Sequence, residues 1–287
     1  MSDCKNIFIY IILFLLIVII FIISIDKYNI YNLNKLLILE NLPNLPYEMD
    51  VIPNNLFQTY KTKYEIPQYI FDNKKKYASA YKHIVLDDEE ALVFLNKYFS
   101  NCVLNRFKSL REGCHKADLL RYCLLYIYGG VYLDIKVILI EDMDKIFKNK
   151  KYFYSTIGHD NIQIFQGILA SHPRNKLFLK LINSIIHSDD DILCNDFHIF
   201  IRELYKKLTD DCNKPLIPGL NIGKLNNYYL FNERCSNTIS TECSKLDRYK
   251  LCCSVYDIDK KIFISRDPNY PWGKNNKIPI NLFKYIK

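Results

Sequence analysis

A predicted helix, a glycine turn and a predicted strand follow one another directly in the middle of the chain, and this segment constrains the fold most strongly. Downstream of His115, apolar residues recur at the 3.6-residue spacing of a helix with one buried face. They are Leu120, Cys123, Leu124 and Ile127. Gly129 and Gly130 follow where a left-handed residue commonly ends a helix. Apolar and polar residues then alternate over residues 131–137, which is typical of a strand.

The same segment carries its charged residues away from the apolar positions. Asp118 and Arg121 are three residues apart on the helix, so their side chains are neighbours, and Tyr122 falls on the same face. Asp134 and Lys136 are two residues apart and point the same way if the strand stays extended. Taken alone, the Asp/Arg pair is also compatible with a helix-surface ion pair worth less than about 1 kcal/mol. Next to the glycine turn and the second aspartate, a shared pocket is the better interpretation.

Predicted strands alternate with predicted helices along the rest of the chain. Residues 52–60, 162–170 and 262–264 favour strands, whereas residues 176–187 and 199–208 favour helices. This alternation is typical of an α/β layer fold, in which helices cover a sheet. The 287 residues are enough to bury one sizeable core.

The composition fits a globular domain without a nucleic-acid partner. Hydrophobic residues make up 49% of the chain and charged residues 24%, both ordinary proportions. The formal net charge of +8 is spread along the sequence, and the longest basic run is only Lys74-Lys75-Lys76. A spread charge indicates a solvated surface, whereas a nucleic-acid site needs a concentrated basic patch.

The N-terminal region predicts a membrane span. Residues 7–25 form an apolar run of about 19 residues, which is long enough to cross a hydrocarbon core as a helix. Bulky side chains run directly into Asp26-Lys27 without the small residues of a cleavage site, which favours an uncleaved signal anchor. Because Lys5 is balanced by Asp3 and further lysines follow the span, the positive-inside rule does not fix the orientation.

These observations divide the chain into four parts. Residues 1–6 form a short tail, residues 7–25 the transmembrane anchor, residues 26–50 a stem rich in Asn and Leu, and residues 51–287 the globular domain.

The ten cysteines do not form the paired CxxC blocks of a zinc site. Four of them cluster late in the chain: Cys235, Cys243, Cys252 and Cys253. They are compatible with disulfides in an oxidising compartment, and equally with buried thiols that pack as small apolar residues. The sequence does not determine their pairing.

Several of these segments together resemble the glycosyltransferases that have a sugar-binding region with a DXD motif. This family includes the initiating α-1,6-mannosyltransferases and the sphingolipid mannosyltransferases, and it is more distantly similar to the clostridial glucosylating toxins. The central matches are residues 117–122 and 129–134, and residues 52–59 match near the start of the domain. Residues 166–170 and 270–272 match more weakly.

The resemblance implies a GT-A fold, which is a mixed sheet flanked by helices in a Rossmann-like arrangement. It also implies a retaining transfer of a hexose, with mannose favoured, from a nucleoside-diphosphate sugar to a glycan or glycolipid acceptor. The implied setting is a single-pass, type II membrane protein whose catalytic domain is luminal, in a Golgi- or ER-like compartment.

The resemblance also implies roles for individual residues. Asp118, Arg121 and the neighbouring Tyr122 would contact the donor sugar or its ribose, and Asp134 would sit on ribose, sugar or metal. Three further donor contacts are implied for Gln58 and Thr59 near the nucleotide base and for Trp272, which would close over the donor. His159-Asp160 is compatible with an acceptor contact and with a simple polar turn.

One residue departs from the family pattern. The last DXD position, where the family has a carboxylate that ligates Mn²⁺ or Mg²⁺, is Lys136. In one interpretation, Lys136 takes the place of the cation and pairs with the diphosphate, so that Asp134 and Lys136 are the catalytic pair. In a second, the site has lost turnover and the protein only binds nucleotide sugars or glycans. In a third, metal still binds through Asp134 and water.

Overall fold

The computed structural model describes residues 2–38, 50–236 and 252–265. The helices are α1 Ser2–Leu37, α2 Gln68–Tyr77, α3 Asp88–Tyr98, α4 Asn101–Ser109, α5 Gly113–Tyr128, α6 Met143–Ile146, α7 Lys176–Ile186, α8 Asp190–Asn195 and α9 Ile199–Cys212, with a 3-10 turn at Lys63–Glu65. The strands are β1 Asn55–Thr59, β2 Lys82–Leu86, β3 Gly130–Leu133, β4 Ile138–Leu139, β5 Phe153–Ile157, β6 Ile168–Ser171, β7 Gly219–Ile222, β8 Asn227–Ser236, β9 Cys252–Asp257 and β10 Lys260–Ile264.

In the described ranges, ten strands form one mixed sheet. Their order is β2-β1-β3-β6-β5-β8-β9-β10-β4, and β7 pairs with β8 at the side. β1 runs parallel to β2 and β3, and β5 runs parallel to β8, while the other pairs are antiparallel. Helices pack against this sheet, so the predicted α/β class with a mixed sheet is confirmed.

The alternation of side chains along β3 shows how the sheet contributes residues to a hydrophobic core on each of its faces. Val131 and Leu133 pack on one side with β1, β6 and α6 residues, whereas Tyr132 packs on the other side with the helices α3, α4, α5 and α7. Because successive side chains of a strand point to opposite faces, a strand that is buried throughout must supply apolar residues to both. All four residues of β3 are buried.

The glycine turn between α5 and β3 has the predicted form. Gly129 and Gly130 have φ angles of +61° and +114°, a region that favours glycine. A Cβ atom on Gly129 would lie 2.6 Å from Pro173, and one on Gly130 would lie 2.6 Å from the Asn55 carbonyl oxygen. The backbone is therefore packed too tightly for any side chain, and β3 starts at a fixed position beside β1.

One described helix is long and apolar enough to cross a membrane, over residues Ile11–Leu37 of α1. Its apolar side chains in residues 11–25 are mostly exposed. The second half of α1 packs on the domain: Leu37 is fully buried, its carbonyl accepts from the Ser100 amide at 2.8 Å, and Lys180 pairs with Asp26 at 3.1 Å.

The part of the predicted stem that the structure describes is mostly helical. Residues 26–37 continue α1, and this part of the helix packs on α7 and on the start of α4. The apolar side chains Ile30 and Ile38, which the composition-based prediction did not use, are buried there. Residues 39–49 lie outside the described ranges.

One of the late cysteine pairs forms a disulfide. Cys235 on β8 and Cys253 on β9 are direct cross-strand neighbours and are bonded to each other. Cys243 lies outside the described residues.

Candidate active site

The central helix and strand bring the predicted charged residues together. Asp118 and Arg121 lie on α5 and are 5% and 4% exposed, so both charges are held inside the protein. Asp134 directly follows β3, and its amide donates to the Gly167 carbonyl at 2.8 Å. Because only the glycine turn joins α5 to β3, the spacing of these residues along the sequence brings Asp118 and Arg121 close to Asp134.

The side chains form a continuous chain of alternating charges. The Arg121 Nη2 lies 3.3 Å from the Asp118 Oδ1 and 3.2 Å from the Asp134 Oδ1. The Lys136 Nζ lies 3.4 Å from the other Asp134 oxygen, Oδ2. Each carboxylate thus faces at least one cation, which is the condition under which buried charges are tolerated.

The protonation states follow from this chain. Burial on its own would raise the pKa of Asp134, but Arg121 and Lys136 outweigh it and hold that pKa below its usual value. Burial on its own would lower the pKa of Arg121, but Tyr132, Asp134 and Asp118 raise it instead. At neutral pH the site therefore contains an ionised Asp134 beside a charged Arg121.

Further hydrogen bonds fix the Arg121 guanidinium. Its Nε donates to the Ala117 carbonyl at 3.1 Å and its Nη1 to the Gln166 carbonyl at 2.8 Å. The guanidinium also lies over the Tyr132 ring, 4.7 Å from its centroid. With so many donors engaged, Arg121 presents Asp134 in one orientation.

Tyr122 lies behind the cavity wall and does not line the cavity. It is fully buried, stacks on Phe178, and donates its hydroxyl to the Gln166 side-chain oxygen. Gln166 in turn offers its carbonyl to Arg121. Tyr122 therefore holds Gln166 from behind the cavity wall, whereas the resemblance implied a direct contact with the donor.

Gln58 and Thr59, at the end of β1, support the same strand end. Gln58 is fully buried, donates from Nε2 to the Asp134 carbonyl at 3.2 Å, and its Oε1 lies 2.9 Å from the His83 Nε2. Burial, together with the charge of Lys74, lowers the pKa of His83 to about 4. A neutral His83 then donates from Nε2 to Gln58 at physiological pH. Thr59 shares a 3.0 Å hydrogen bond with the Tyr132 hydroxyl and lines the cavity.

His115 is a member of the charge chain that the sequence reasoning missed. It is 1% exposed, its Nε2 lies 3.2 Å from the Leu193 carbonyl oxygen, and its Nδ1 lies 3.7 Å from the Asp118 Oδ2. Burial lowers the pKa of His115, but Asp118 and the Leu193 carbonyl outweigh it and raise that pKa. Its i,i+3 spacing to Asp118 was the sequence signal that could have revealed it.

A cavity of about 420 Å³ opens beside Arg121, Asp134 and Lys136. Five cationic side chains and two carboxylates line it: Lys61, Arg111, Lys116, Arg121, Lys136, Asp88 and Asp134. Lys116 pairs with Asp88 at 2.9 Å. The surplus of positive charge suits an anionic ligand. Lys61, Arg111 and Lys116 were not predicted, because only the fold shows that they face one space.

Another cavity-lining group is the Cys114 thiol. Burial and the charge of Asp118 raise its pKa to about 11. It is therefore a neutral thiol at physiological pH and a poor nucleophile.

The residues around Asp134 do not fit a resident divalent metal. Its Oδ1 faces Arg121 and its Oδ2 faces Lys136, so a cationic side chain lies against each oxygen. An ammonium has no lone pair with which to ligate a metal. Within the described ranges, Asp134 also belongs to no group of three His, Cys, Asp or Glu ligand atoms close enough to share an ion.

A further predicted position, His159, does not line the cavity. His159 is half-exposed after β5, and its Nδ1 lies 3.9 Å from the Glu233 Oε2. Trp272 lies outside the described residues.

Comparisons with known proteins agree with the sequence resemblance. Residues 66–153 match the family model described as a glycosyltransferase sugar-binding region containing a DXD motif. Mannosyl phosphorylinositol ceramide synthase SUR1 of Saccharomyces cerevisiae is 29% identical over 147 residues, which are 50% of this chain and 37% of that protein. The initiation-specific alpha-1,6-mannosyltransferase of Candida albicans is 25% identical over 177 residues, covering 58% of this chain and 45% of its own length.

Two further proteins are similar to this chain at lower sequence identity. The uncharacterized glycosyltransferase L373 of Acanthamoeba polyphaga mimivirus is 24% identical over 147 residues, covering 49% of this chain and 58% of its own length. Among solved structures, PaToxG glycosyltransferase superposes with a TM-score of 0.42 at 14% identity over 64% of this chain and 76% of that one. The chain thus spans roughly 37 to 58% of the length of these curated relatives. The matched residues 66–153 contain the whole Asp118–Lys136 charge chain, in agreement with the resemblance seen in the sequence.

Proposed function

We propose that the chain is a membrane-anchored, retaining glycosyltransferase. It moves a hexose, with mannose favoured, from a nucleoside-diphosphate sugar to a glycan or glycolipid acceptor. The observation that carries this proposal is the Asp118–Arg121–Asp134–Lys136 charge chain at the wall of a cation-lined cavity. That cavity offers both kinds of group that a nucleotide sugar requires.

The first kind of group recognises hydroxyls. The Asp134 side chain is 18% exposed, so it can accept hydrogen bonds from a sugar or ribose while Arg121 holds it in place. Asp118 lies behind Arg121 and orients it from the other side. Positioning of the donor in this way supports transfer by reducing the entropy that the reacting atoms must lose.

The second kind of group neutralises the diphosphate. When the bond between the anomeric carbon and the diphosphate oxygen breaks, negative charge grows on the leaving group. Lys136 at the cavity wall, with Lys61, Arg111 and Lys116 around it, can stabilise that charge. The acceptor oxygen forms the new bond on the same face, and its proton passes to the departing diphosphate. This route assigns no side chain as an obligatory general base.

We further propose that Lys136 takes the place that a divalent metal would have. An ammonium beside Asp134 supplies positive charge at the position where the DXD motif has a metal-ligating acid. The proposed enzyme therefore has a weak requirement for Mn²⁺ or Mg²⁺, or none.

The acceptor and the setting are proposed from the relatives and from α1. Relatives are named for mannosyl phosphorylinositol ceramide synthesis, which supports a glycolipid acceptor beside the glycan alternative. The apolar first half of α1 supports a single span, with residues 51–287 as a luminal catalytic domain of type II orientation.

A second candidate function is a non-catalytic nucleotide-sugar or glycan-binding protein on the same fold. The Lys136–Asp134 ion pair favours it, because it engages the carboxylate that a transferase would need for its donor. Binding of a donor without release of nucleotide would identify this alternative.

The direct test is turnover. The full chain, purified in detergent, is incubated with a panel of nucleoside-diphosphate hexoses, and release of the nucleoside diphosphate is measured. One donor should turn over, and Asp134→Asn should abolish this turnover while circular dichroism shows an intact fold. Unchanged nucleotide release by Asp134→Asn would contradict the assignment of the site.

A further inference from the structure

A second cluster of polar side chains lies outside the cation-lined cavity, at the carboxyl ends of β5 and β8. His159 follows β5, while Glu233 and Cys235 lie two residues apart on β8. The His159 ring nitrogen, a Glu233 carboxylate oxygen and the Cys235 sulfur all lie within 4.8 Å of one another. Nitrogen, oxygen and sulfur donors in one place are a ligand set that zinc accepts.

The surroundings of Glu233 suit a metal ligand. Its side chain is 3% exposed, and one carboxylate oxygen, Oε1, accepts from the Ser265 hydroxyl at 2.7 Å. The other oxygen, Oε2, faces the His159 Nδ1 at 3.9 Å. A ligating carboxylate that is oriented by a hydrogen bond from behind is the usual arrangement of a metal site. The His159 side chain, at 42% exposed, leaves an entry path from solvent.

Cys235 links this cluster to the redox state of the protein. As the disulfide partner of Cys253 it has no thiolate to offer a metal. A dithiol reductant changes that: two electrons and two protons pass to the disulfide, the S–S bond breaks, and the reductant becomes the disulfide. The Cys235 thiol then stands beside His159 and Glu233, and zinc binding displaces its proton.

We propose that His159, Glu233 and Cys235 form a zinc site that opens on reduction of the disulfide. In tetrahedral zinc sites with bonds of about 2.0–2.3 Å, ligand atoms are about 3.3–3.8 Å apart, so the cluster must contract by at most about 1.5 Å. Thiolate and imidazole select zinc over Mn²⁺ or Mg²⁺. The site is independent of the proposed sugar transfer.

Zinc here would join three parts of the fold next to the cavity. The ligands come from β5 and β8, and Ser265 follows β10, whose last residue Ile264 pairs with Ile138. Ile138 is two residues beyond Lys136. Zinc binding would therefore fix the end of β10 beside β4, which begins two residues after the cavity lysine Lys136.

The test is zinc content of the full chain in detergent, measured after dialysis in oxidised and dithiol-reduced samples. The reduced protein should bind one zinc at this site and the oxidised protein none there, with Co²⁺ giving a thiolate-to-metal absorption band only after reduction. Cys253→Ser frees Cys235, so this variant should bind zinc without any reductant. After reduction, His159→Ala should weaken binding at least tenfold, and Ser265→Ala roughly 10- to 100-fold.

Cys114→Ser is the matched control, because it removes a free thiol on α5 that does not belong to the cluster, and it should leave zinc binding unchanged. The proposal is overturned if Cys253→Ser needs reductant to bind zinc, or if reduced His159→Ala binds as tightly as the unmodified chain. Because His159 is half-exposed, its substitution leaves folding intact. Since the readout is metal content, failure here is distinct from a failure of the proposed transferase activity.

Discussion

Two Arg–Asp contacts of nearly equal length lie in opposite environments, because one is buried and the other is exposed to solvent. In the cavity wall, Arg121 lies 3.2 Å from Asp134, and the two side chains are 5% and 18% exposed. Between β8 and the β9–β10 turn, Arg234 lies 3.4 Å from Asp259, and these side chains are 48% and 88% exposed. Distance alone therefore does not decide what such a contact contributes.

The two ion pairs differ in how strongly water screens their charges. Around Arg234, solvent screens the pair and stabilises either charge if the other is removed. Around Arg121, solvent is excluded, so loss of one charge leaves its partner without compensation. The buried pair is also part of a longer chain that includes Asp118, which makes its members interdependent.

The largest expected effect comes from removing the central cation. Arg121→Met leaves Asp118 and Asp134 facing each other in a buried site, and we expect a loss of about 3–5 kcal/mol in the free energy of unfolding. The matched change Arg234→Met should cost less than about 1 kcal/mol. Chemical denaturation of both variants measures the contrast. Equal losses in the two variants would remove burial as the cause of the difference.

A smaller effect is expected from a substitution of Asp118, at one end of the charge chain. Asp118→Asn keeps the size of the side chain but removes the charge between His115 and Arg121. We expect a loss of about 1–3 kcal/mol in stability, because buried charge-assisted hydrogen bonds are weakened. Nucleotide release should fall at least tenfold, since Arg121 then loses one of its two orienting carboxylates. Asp259→Asn, the exposed counterpart, should change neither quantity.

The smallest effect is a pH dependence. Because Asp118 and the Leu193 carbonyl raise the pKa of His115, its stabilising contribution is fully present below its unfolded pKa of about 6.5. That contribution is lost as the pH rises through the higher pKa of the folded state. His115→Gln should therefore flatten the decline in stability as the pH rises above about 6.5.

The control for this prediction is His187→Gln. His187 is exposed directly after α7, and its Nδ1 lies 2.9 Å from the Asn183 carbonyl oxygen. Unfolding free energies at pH 6 and pH 9 distinguish the two variants. If both variants keep the full pH dependence, His115 is not its source.

The parts of the site that local pattern encodes were predictable. The spacing of Asp118 and Arg121 on a helix, the turn at Gly129-Gly130 and the position of Asp134 depend on neighbouring residues, and the structure places them as the sequence indicated.

The parts that depend on long-range packing were not predictable. His115 gains its role from the Leu193 carbonyl on a different helix, and Tyr122 is turned away from the cavity by Gln166. Short-range periodicity also does not show that Leu37, within the predicted stem, is buried against the start of α4. The same holds for the cavity lysines, whose common orientation is a property of the assembled sheet and helices.

The central claim is that lysine charge replaces a metal at the donor diphosphate, and donor affinity in the presence of a chelator tests it most directly. For the full chain in detergent, calorimetric titration with the preferred nucleotide sugar should give the same dissociation constant with Mn²⁺ and with chelator. Lys136→Ala should weaken binding roughly tenfold in chelator, the equivalent of about 1.4 kcal/mol, whereas Lys63→Ala, at a half-exposed lysine that does not line the cavity, should not change it. Binding that requires Mn²⁺, or that survives Lys136→Ala unchanged in chelator, would contradict the claim.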